Sequence, residues 1–159
     1  MKHFFKIATA AVAAMLLTVG CDKKEGPAGE PLLDVTANNI SGTWKLTEWS
    51  GGEMAGGSYV YIEFTRRDQT FTIYENLDSF SARRITGRYN ILTDEELGAV
   101  IWGQYDYTNN DWAHRYIVRG LTATKMTWIA KDDPEDVSVY ERCDAVPDDI
   151  LAELPAEEE

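Results

Sequence analysis

Cysteine and histidine commonly serve as nucleophiles, bases or metal ligands in proteins, and the chain holds two of each. Nucleophilic catalysis needs a serine or cysteine beside a base, and a zinc site needs several Cys and His at short spacing. His3 lies near the N terminus, His114 falls on a predicted strand, and Cys143 has no histidine near it in sequence. We therefore predict no catalytic residues, no metal site and no cofactor, and an enzyme is the weakest of three functional hypotheses.

Acidic and glycine-rich segments offer two further kinds of site. The four acidic residues between 132 and 136 could collect calcium, a cation that takes oxygen ligands. The residue order of an EF-hand is missing, however, and an acidic hairpin turn accounts for them. The pairs Gly51-Gly52 and Gly56-Gly57 lie between predicted strands with no helix behind them, unlike the glycine-rich loops that bind phosphates. Neither segment predicts a cofactor site.

Cys21 stands in a context typical of lipid attachment. Lys2 and Lys6 precede an uncharged, largely apolar run over 7–17, which is the pattern of a signal peptide. A helix of that length rises roughly 16 Å, about half of what a bilayer requires. The segment Leu17-Thr18-Val19-Gly20-Cys21 resembles the bacterial lipobox, in which a small residue precedes the cysteine that becomes acylated. We expect residues 1–20 to be removed and Cys21 to carry the lipid; the alternative is an ordinary secretory signal with an incidental cysteine.

Residues 21–37 are predicted to form the lipidated N terminus and a disordered tether, because the stretch after Cys21 is charged, rich in Gly and Pro and without periodicity. The expected partner is a membrane, reached through the lipid, and the expected location is the cell envelope, with the outer membrane favoured and its face left open. With Cys21 acylated, Cys143 has no cysteine left for an intrachain disulfide. Residues 147–159 are predicted to be a short helix and an acidic tail.

The charge of the chain narrows the choice of partners. Its formal net charge is -12 at pH 7, and loss of Lys2 and Lys6 with a signal peptide would make it more negative. Nucleic acid and an anionic membrane surface repel a strongly acidic protein, so we predict no nucleic-acid partner and attachment through the lipid. The sequence does not identify a protein partner.

Residues 38–146 are predicted to be one domain made of short strands. Aromatic and β-branched residues recur in runs separated by Gly, Asn and Asp clusters, the pattern of consecutive hairpins. No segment of helical period supplies the long crossovers that parallel strands need. We predict an all-β fold, an eight-stranded antiparallel up-and-down barrel, whose closure leaves no exposed sheet edge. The predicted strands are 43–50, 58–66, 70–76, 84–92, 97–107, 112–119, 124–131 and 137–143.

Gly42-Thr43-Trp44, at the start of the first predicted strand, matches the Gly-x-Trp signature of the lipocalins. In that family the tryptophan closes the floor of the barrel. An arginine near the end of the last strand packs across its ring, a cation–π contact of about 0.5–2 kcal/mol. Arg142 stands where that partner would be, so the resemblance implies that Gly42, Trp44 and Arg142 close the barrel.

The resemblance extends over roughly residues 38–143. Segments 87–91 and 116–121 look like parts of the lipocalin-like domains found in small lipoproteins of Gram-negative bacteria. The motifs that mark the middle and later loops of the animal lipocalins are absent, so the ligands of those proteins are not implied.

Two functional hypotheses follow for a barrel of this size, which has room for one small ligand or is filled by side chains. In the first, the protein binds a small, partly apolar ligand, since aromatic surfaces line such pockets. In the second, the barrel is a filled scaffold in the envelope, and its outer aromatic residues or its first loop contact a partner protein. Strand parity selects the candidate ligand-binding residues, although a slip of one residue would turn a strand's whole set outward. The residues predicted to point inward and bind the ligand are Val60, Ile62, Phe71, Ile73, Tyr89, Trp102, Tyr116, Val118 and Trp128.

Overall fold

The runs of alternating apolar and polar residues form β-strands in the computed structural model of the protein, which describes residues 29–77 and 81–155. Eight of these strands pair antiparallel with their neighbours in chain order, and the first of the eight also pairs with the last. The predicted eight-stranded antiparallel up-and-down barrel is therefore confirmed. The predicted signal peptide, Cys21 and the end of the acidic tail lie outside the described residues.

The strands match the predicted runs within a few residues, apart from one very short strand that the sequence did not indicate. The strands are β1 (Gly42–Trp49), β2 (Gly52–Glu53), β3 (Val60–Thr65), β4 (Thr70–Glu75), β5 (Arg83–Asp94), β6 (Gly98–Tyr105), β7 (Tyr116–Arg119), β8 (Lys125–Ala130) and β9 (Val137–Cys143). The unpredicted strand, β2, pairs only with the end of β1 among the described residues. The start of β7 at Tyr116 is later than the predicted start at Trp112.

The barrel closes through the pairing of β1 with β9. Trp44 lies opposite Arg142 and Leu46 lies opposite Tyr140, and the register shifts between Leu46 and Glu48. A shift of this kind is a β-bulge, which bends a strand and increases its twist. Because β1 and β9 each have a second neighbour in the sheet, their paired residues present no open edge.

Alternation of side chains across each strand fills the barrel. On β3, Val60, Ile62 and Phe64 are buried while Glu63 is exposed, as the period of two residues in a strand requires. Inward side chains from all eight barrel strands join the main hydrophobic cluster. The core of the protein is therefore the inside of the barrel.

Short helices precede and follow the barrel strands in the sequence. Helix α1 (Ala37–Ile40) is capped by Thr36, whose side-chain oxygen accepts a hydrogen bond from the Asn39 N–H, and it buries Ile40 in the main cluster. Helix α2 (Asp148–Ala152) lies within the segment predicted to hold a short helix. It packs Ile150 against Tyr61 on the outer face of β3. None of the helices in the described part of the chain has the length and apolar character that crossing a bilayer requires.

Residues 30–37 are held against the barrel, although the sequence assigned them to the disordered tether. The Leu33 N–H donates to the Leu121 carbonyl at 2.8 Å, and the Thr124 hydroxyl donates to the Glu30 carboxylate at 2.8 Å. These bonds tie the segment to the connection between β7 and β8. Ordered structure therefore begins before the predicted domain boundary at residue 38.

Candidate ligand-binding cavity

One end of the barrel is closed by Arg142 on β9 and Trp44 on β1. The guanidinium carbon of Arg142 lies 4.1 Å from the centroid of the Trp44 ring, and Trp44 is fully buried. The negative face of an indole attracts a positive charge placed over it. The Trp44 indole N–H donates to the Ile40 carbonyl at 2.8 Å, which links α1 to the same closure.

The Arg142 guanidinium also satisfies backbone carbonyls at this end. Its N–H groups donate to Asn39 and Ser41 at 2.6 Å and to Ala123 at 2.8 Å. Gly42 leaves room for the guanidinium, because the residue has a φ of +113° and a Cβ there would come 2.7 Å from Nη1 of Arg142. The residues for which the family resemblance implied a closing role thus lie together at this end of the barrel.

Next to this closure the barrel is solidly packed. Phe64 and Tyr89 meet edge to face with ring centroids 5.0 Å apart, and Phe71 lies at the same distance from Trp112. Phe71, Tyr89 and Val118 were predicted to bind the ligand. They are buried in the main cluster and do not line the cavity at the other end. These three side chains form its packed base instead.

A cavity of about 220 Å³ lies at the other end of the barrel, and every barrel strand contributes to its wall. It opens beside Trp49, which is 49% exposed at the end of β1. The predicted ligand-binding residues that line it are Val60, Ile62, Ile73, Tyr116 and Trp128. The further residues that line it are Leu46, Trp49, Glu75, Leu77, Ile85, Tyr105, Trp112, Ala113, Asp136, Ser138 and Tyr140.

Trp102 lies on the outer face of β6, so its prediction as an inward residue is wrong. Ile101 is fully buried in the main cluster, and a Cβ at Gly103 would collide with the Trp112 ring, so both neighbours of Trp102 face inward. Successive strand residues point to opposite faces. The Trp102 ring packs against the Arg115 guanidinium, 5.2 Å away. The alternation of residues along β6 could not identify its inward face, because β6 carries large apolar residues on both faces.

Trp112 lines the cavity but was not among the predicted ligand-binding residues. It lies before β7 in a loop, and its backbone N–H donates to the Gly103 carbonyl at 2.7 Å. Its indole packs on the Gly103 backbone. A glycine inside a strand often marks the close approach of another group, so Gly103 was the signal that sequence reasoning could have used.

Aromatic rings form a contiguous part of the cavity wall around Trp128. Its ring centroid lies 4.8 Å from Tyr140, 5.3 Å from Tyr116 and 5.6 Å from Trp112. Tilted arrangements at these distances stabilise the rings beyond simple burial. Burial raises the pKa of Tyr116 to about 12 and also raises the pKa of Tyr140. Both phenols therefore stay protonated at neutral pH.

Carboxylates at two positions complete the cavity. Glu75 on β4 is buried and pairs with the guanidinium of Arg83 on β5, whose side chain is 40% exposed. Asp136, just before β9, accepts a hydrogen bond from the Trp49 indole N–H at 2.7 Å. Among the described residues, no lysine, arginine or histidine lines the cavity. The ionisable groups in its wall are therefore acids and phenols.

The remaining reactive side chains, His114 and Cys143, lie on different parts of the barrel. Within residues 29–77 and 81–155, no three His, Cys, Asp or Glu side chains come close enough together to hold a metal ion. His114 Nδ1 contacts the Asp132 carboxylate at 2.7 Å near the surface, and this contact lowers the pKa of Asp132. Burial raises the pKa of the Cys143 thiol, which makes it a weak nucleophile.

A closed antiparallel barrel with one sealed end and a small cavity at the other is a β-barrel of the ligand-binding type. The model of the Lipocalin-like domain family matches residues 40–128, and the chain belongs to this family. Its fold is similar to that of a lipocalin-like protein from Bacteroides uniformis ATCC 8492, with a TM-score of 0.50 and 17% identity, covering 66% of this chain and 99% of that one. At this identity the likeness shows the fold alone. No curated protein matches the chain.

Proposed function

We propose that this protein is a membrane-anchored binding protein of the cell envelope that holds a small, partly apolar ligand in the barrel cavity. The observation that supports ligand binding is the cavity of about 220 Å³, whose wall combines aromatic and aliphatic side chains with polar groups such as Glu75, Asp136 and Ser138. Ligand sites are typically concave and mainly apolar, with a small number of polar groups that orient the ligand. An apolar cavity of about 150 Å³ accommodates benzene, so the ligand here has a body of about one ring.

The alternative is an envelope scaffold with a filled barrel, and the cavity argues against it. A filled barrel would leave no space between Ile73, Trp112 and Tyr116, which instead line the cavity. Around Phe71 and Tyr89 the barrel is filled, as the scaffold hypothesis requires. The combination of a packed base and a small free space favours ligand binding.

Attachment to the membrane is proposed on the sequence of the N terminus. Cys21 follows an apolar run and a small residue, and an acyl chain on it would contribute about 0.8 kcal/mol of membrane affinity for each buried methylene. The outer membrane is the favoured location of the lipid-anchored protein. The acidic net charge of -12 makes the lipid the means of attachment and makes a nucleic-acid partner unfavourable.

Native mass spectrometry of the full chain, purified in detergent from its own cells, tests the binding proposal. We expect an added mass from a small molecule that leaves on activation. Ile73→Trp fills the cavity from β4 and should abolish the added mass. Thr72→Trp, on the outer face of the same strand, is the matched control and should retain it. Wild-type protein that carries no small molecule but retains a partner protein would overturn the proposal in favour of the scaffold.

Metabolic labelling with a fatty acid tests the anchor. The wild-type chain and Cys143→Ala should take up the label, because Cys143 lies in β9 of the barrel. Cys21→Ala should not take it up, and uptake by that variant would overturn the proposed anchor. Protease treatment of intact cells then distinguishes the periplasmic face from the outer face.

A further inference from the structure

The charge at the cavity is not balanced. Glu75 and Asp136 line it, whereas no lysine, arginine or histidine of the described residues does. Glu75 is paired with Arg83, so that pair is close to neutral as a whole. Asp136 accepts from the uncharged Trp49 indole, and no ion pair of Asp136 is present in the described part of the chain. A net negative charge therefore remains at the opening.

The wall next to this charge is aromatic. Trp112, Tyr116 and Trp128 all line the cavity, and their ring centroids are 5.3 to 6.3 Å apart. The face of an aromatic ring attracts a cation, with an energy that grows as water is excluded from the contact. The phenols of Tyr116 and Tyr140 stay protonated and are therefore uncharged. An aromatic wall beside an uncompensated carboxylate is an arrangement that recognises organic cations.

We propose that the ligand is a small organic cation with a flat apolar body. Its ring packs against Trp112, Tyr116 and Trp128, and its positive charge lies toward Asp136 at the opening. This inference rests on the proposed function, because it names the class of ligand that the same cavity takes. It disfavours small carboxylates and sulfonates as ligands, since their charge would lie near the Asp136 carboxylate.

The electrostatic potential in the cavity agrees with a cationic ligand. Burial raises the pKa of Tyr116, and the largest further contribution comes from Asp136. Burial also raises the pKa of Tyr105, with smaller contributions from Tyr107 and Glu75. These carboxylates therefore disfavour negative charge at the ring oxygens. The net charge of -12 extends the same potential over the surface and increases the local concentration of cations.

Three probes of similar size separate the effect of charge from that of shape. They are phenyltrimethylammonium, its neutral isostere tert-butylbenzene, and the anion benzenesulfonate. Each is titrated calorimetrically into the full chain in neutral detergent at low salt. We expect phenyltrimethylammonium to bind about tenfold more tightly than tert-butylbenzene, as a well-placed cation–π and charge contact predicts, and benzenesulfonate to bind most weakly.

Asp136→Asn tests the residue that supplies the charge. Asparagine keeps an oxygen that can accept from Trp49 and removes the negative charge. We expect the affinity for phenyltrimethylammonium to fall about three- to tenfold while that for tert-butylbenzene stays unchanged. Asp68→Asn is the matched control, because Asp68 is exposed in the turn between β3 and β4, at the closed end of the barrel, and does not line the cavity; it should leave both affinities unchanged. Circular dichroism checks that both variants are folded.

The outcomes distinguish the inference from the proposed function. If tert-butylbenzene binds as tightly as phenyltrimethylammonium or more tightly, the inference that the ligand is a cation is wrong, and the proposal that the cavity binds a small ligand stands. Equal losses of affinity for phenyltrimethylammonium and tert-butylbenzene in Asp136→Asn would likewise overturn the inference that the ligand is a cation. If none of the probes binds to protein that also carries no co-purified small molecule, the proposed function itself is overturned. Should Asp136→Asn fail to fold, the affinities of the three probes for the wild-type protein decide whether the ligand is a cation.

Discussion

The indole of Trp112 lies directly on the backbone of Gly103, where an added Cβ would come 2.4 Å from Cε2 of the ring and 2.7 Å from Nε1. The Trp112 backbone N–H donates to the Gly103 carbonyl at 2.7 Å. A loop residue is thereby fixed on the inner face of β6, where its ring contacts Phe71 in the packed base and Trp128 in the cavity wall. The shape of the cavity depends on this one position without a side chain.

Gly103→Ala should displace Trp112 and destabilise the barrel by about 1–3 kcal/mol, the usual cost of overpacking a core. Urea unfolding measures the change in the free energy of unfolding. Gly56→Ala is the matched control, because nothing lies within 4 Å of a Cβ at Gly56. If the two variants unfold at the same urea concentration, the contact with Trp112 does not constrain the core.

Arg142→Ala should lower the free energy of unfolding by about 2–4 kcal/mol, because partly buried carbonyls lose their donors and Trp44 loses the cation over its ring. Arg142→Lys should lie between this variant and the wild type, since lysine keeps the charge but lacks the planar fork of donors. Arg88→Ala, on the exposed face of β5, is the control for loss of an arginine. Thermal unfolding ranks the variants. Equal stability of Arg142→Ala and Arg88→Ala would mean that the closure contributes nothing.

The fold could be predicted because its signals are local. On β3 the inward residues Val60, Ile62 and Phe64 stand at every second position, and both β3 and β4 lie within about two residues of the predicted ends. The contact between Trp44 and Arg142 was implied by the family resemblance. Residues 30–37 were misassigned because their bonds go to Leu121 and Thr124, which are distant in sequence.

The site could be predicted only in part. A period of two residues shows which face of the strand a side chain is on, but not how far along the barrel axis the side chain lies. Phe71 and Ile73 share one face of β4, yet Phe71 lies in the packed base and Ile73 lines the cavity. On β6 even the face was ambiguous, since Ile101 and Trp102 are both large and apolar. The place of Trp112 depends on a loop folding onto Gly103, and although a glycine inside a strand signals a close approach, it does not identify the side chain that approaches.

Trp102→Phe should leave the probe-induced change in tryptophan fluorescence unchanged in absolute size, because Trp102 lies on the outer face beside Arg115. Trp112→Phe should reduce that change, since Trp112 lines the cavity. The measurement uses whichever of the three aromatic probes binds the wild type. A loss of the response in Trp102→Phe would place this ring at the ligand and contradict its assignment to the outer face.

The alkaline stability of the barrel depends in part on Tyr116. Burial raises the pKa of Tyr116 from its ordinary value of 10.0 to about 12, and Asp136 adds to the shift. The folded protein thus holds the phenol proton more tightly than the unfolded chain. This contribution to stability is complete below pH 10.0 and is lost as the pH rises through about 12. Urea unfolding at about pH 9 and about pH 11 measures the fall. Between these pH values, the free energy of unfolding of Tyr116→Phe should fall less than that of the wild type. That of Tyr107→Phe should fall as much as the wild type's, because the Tyr107 side chain is 71% exposed. An equal fall in all three proteins would mean that folding does not change the proton affinity of Tyr116.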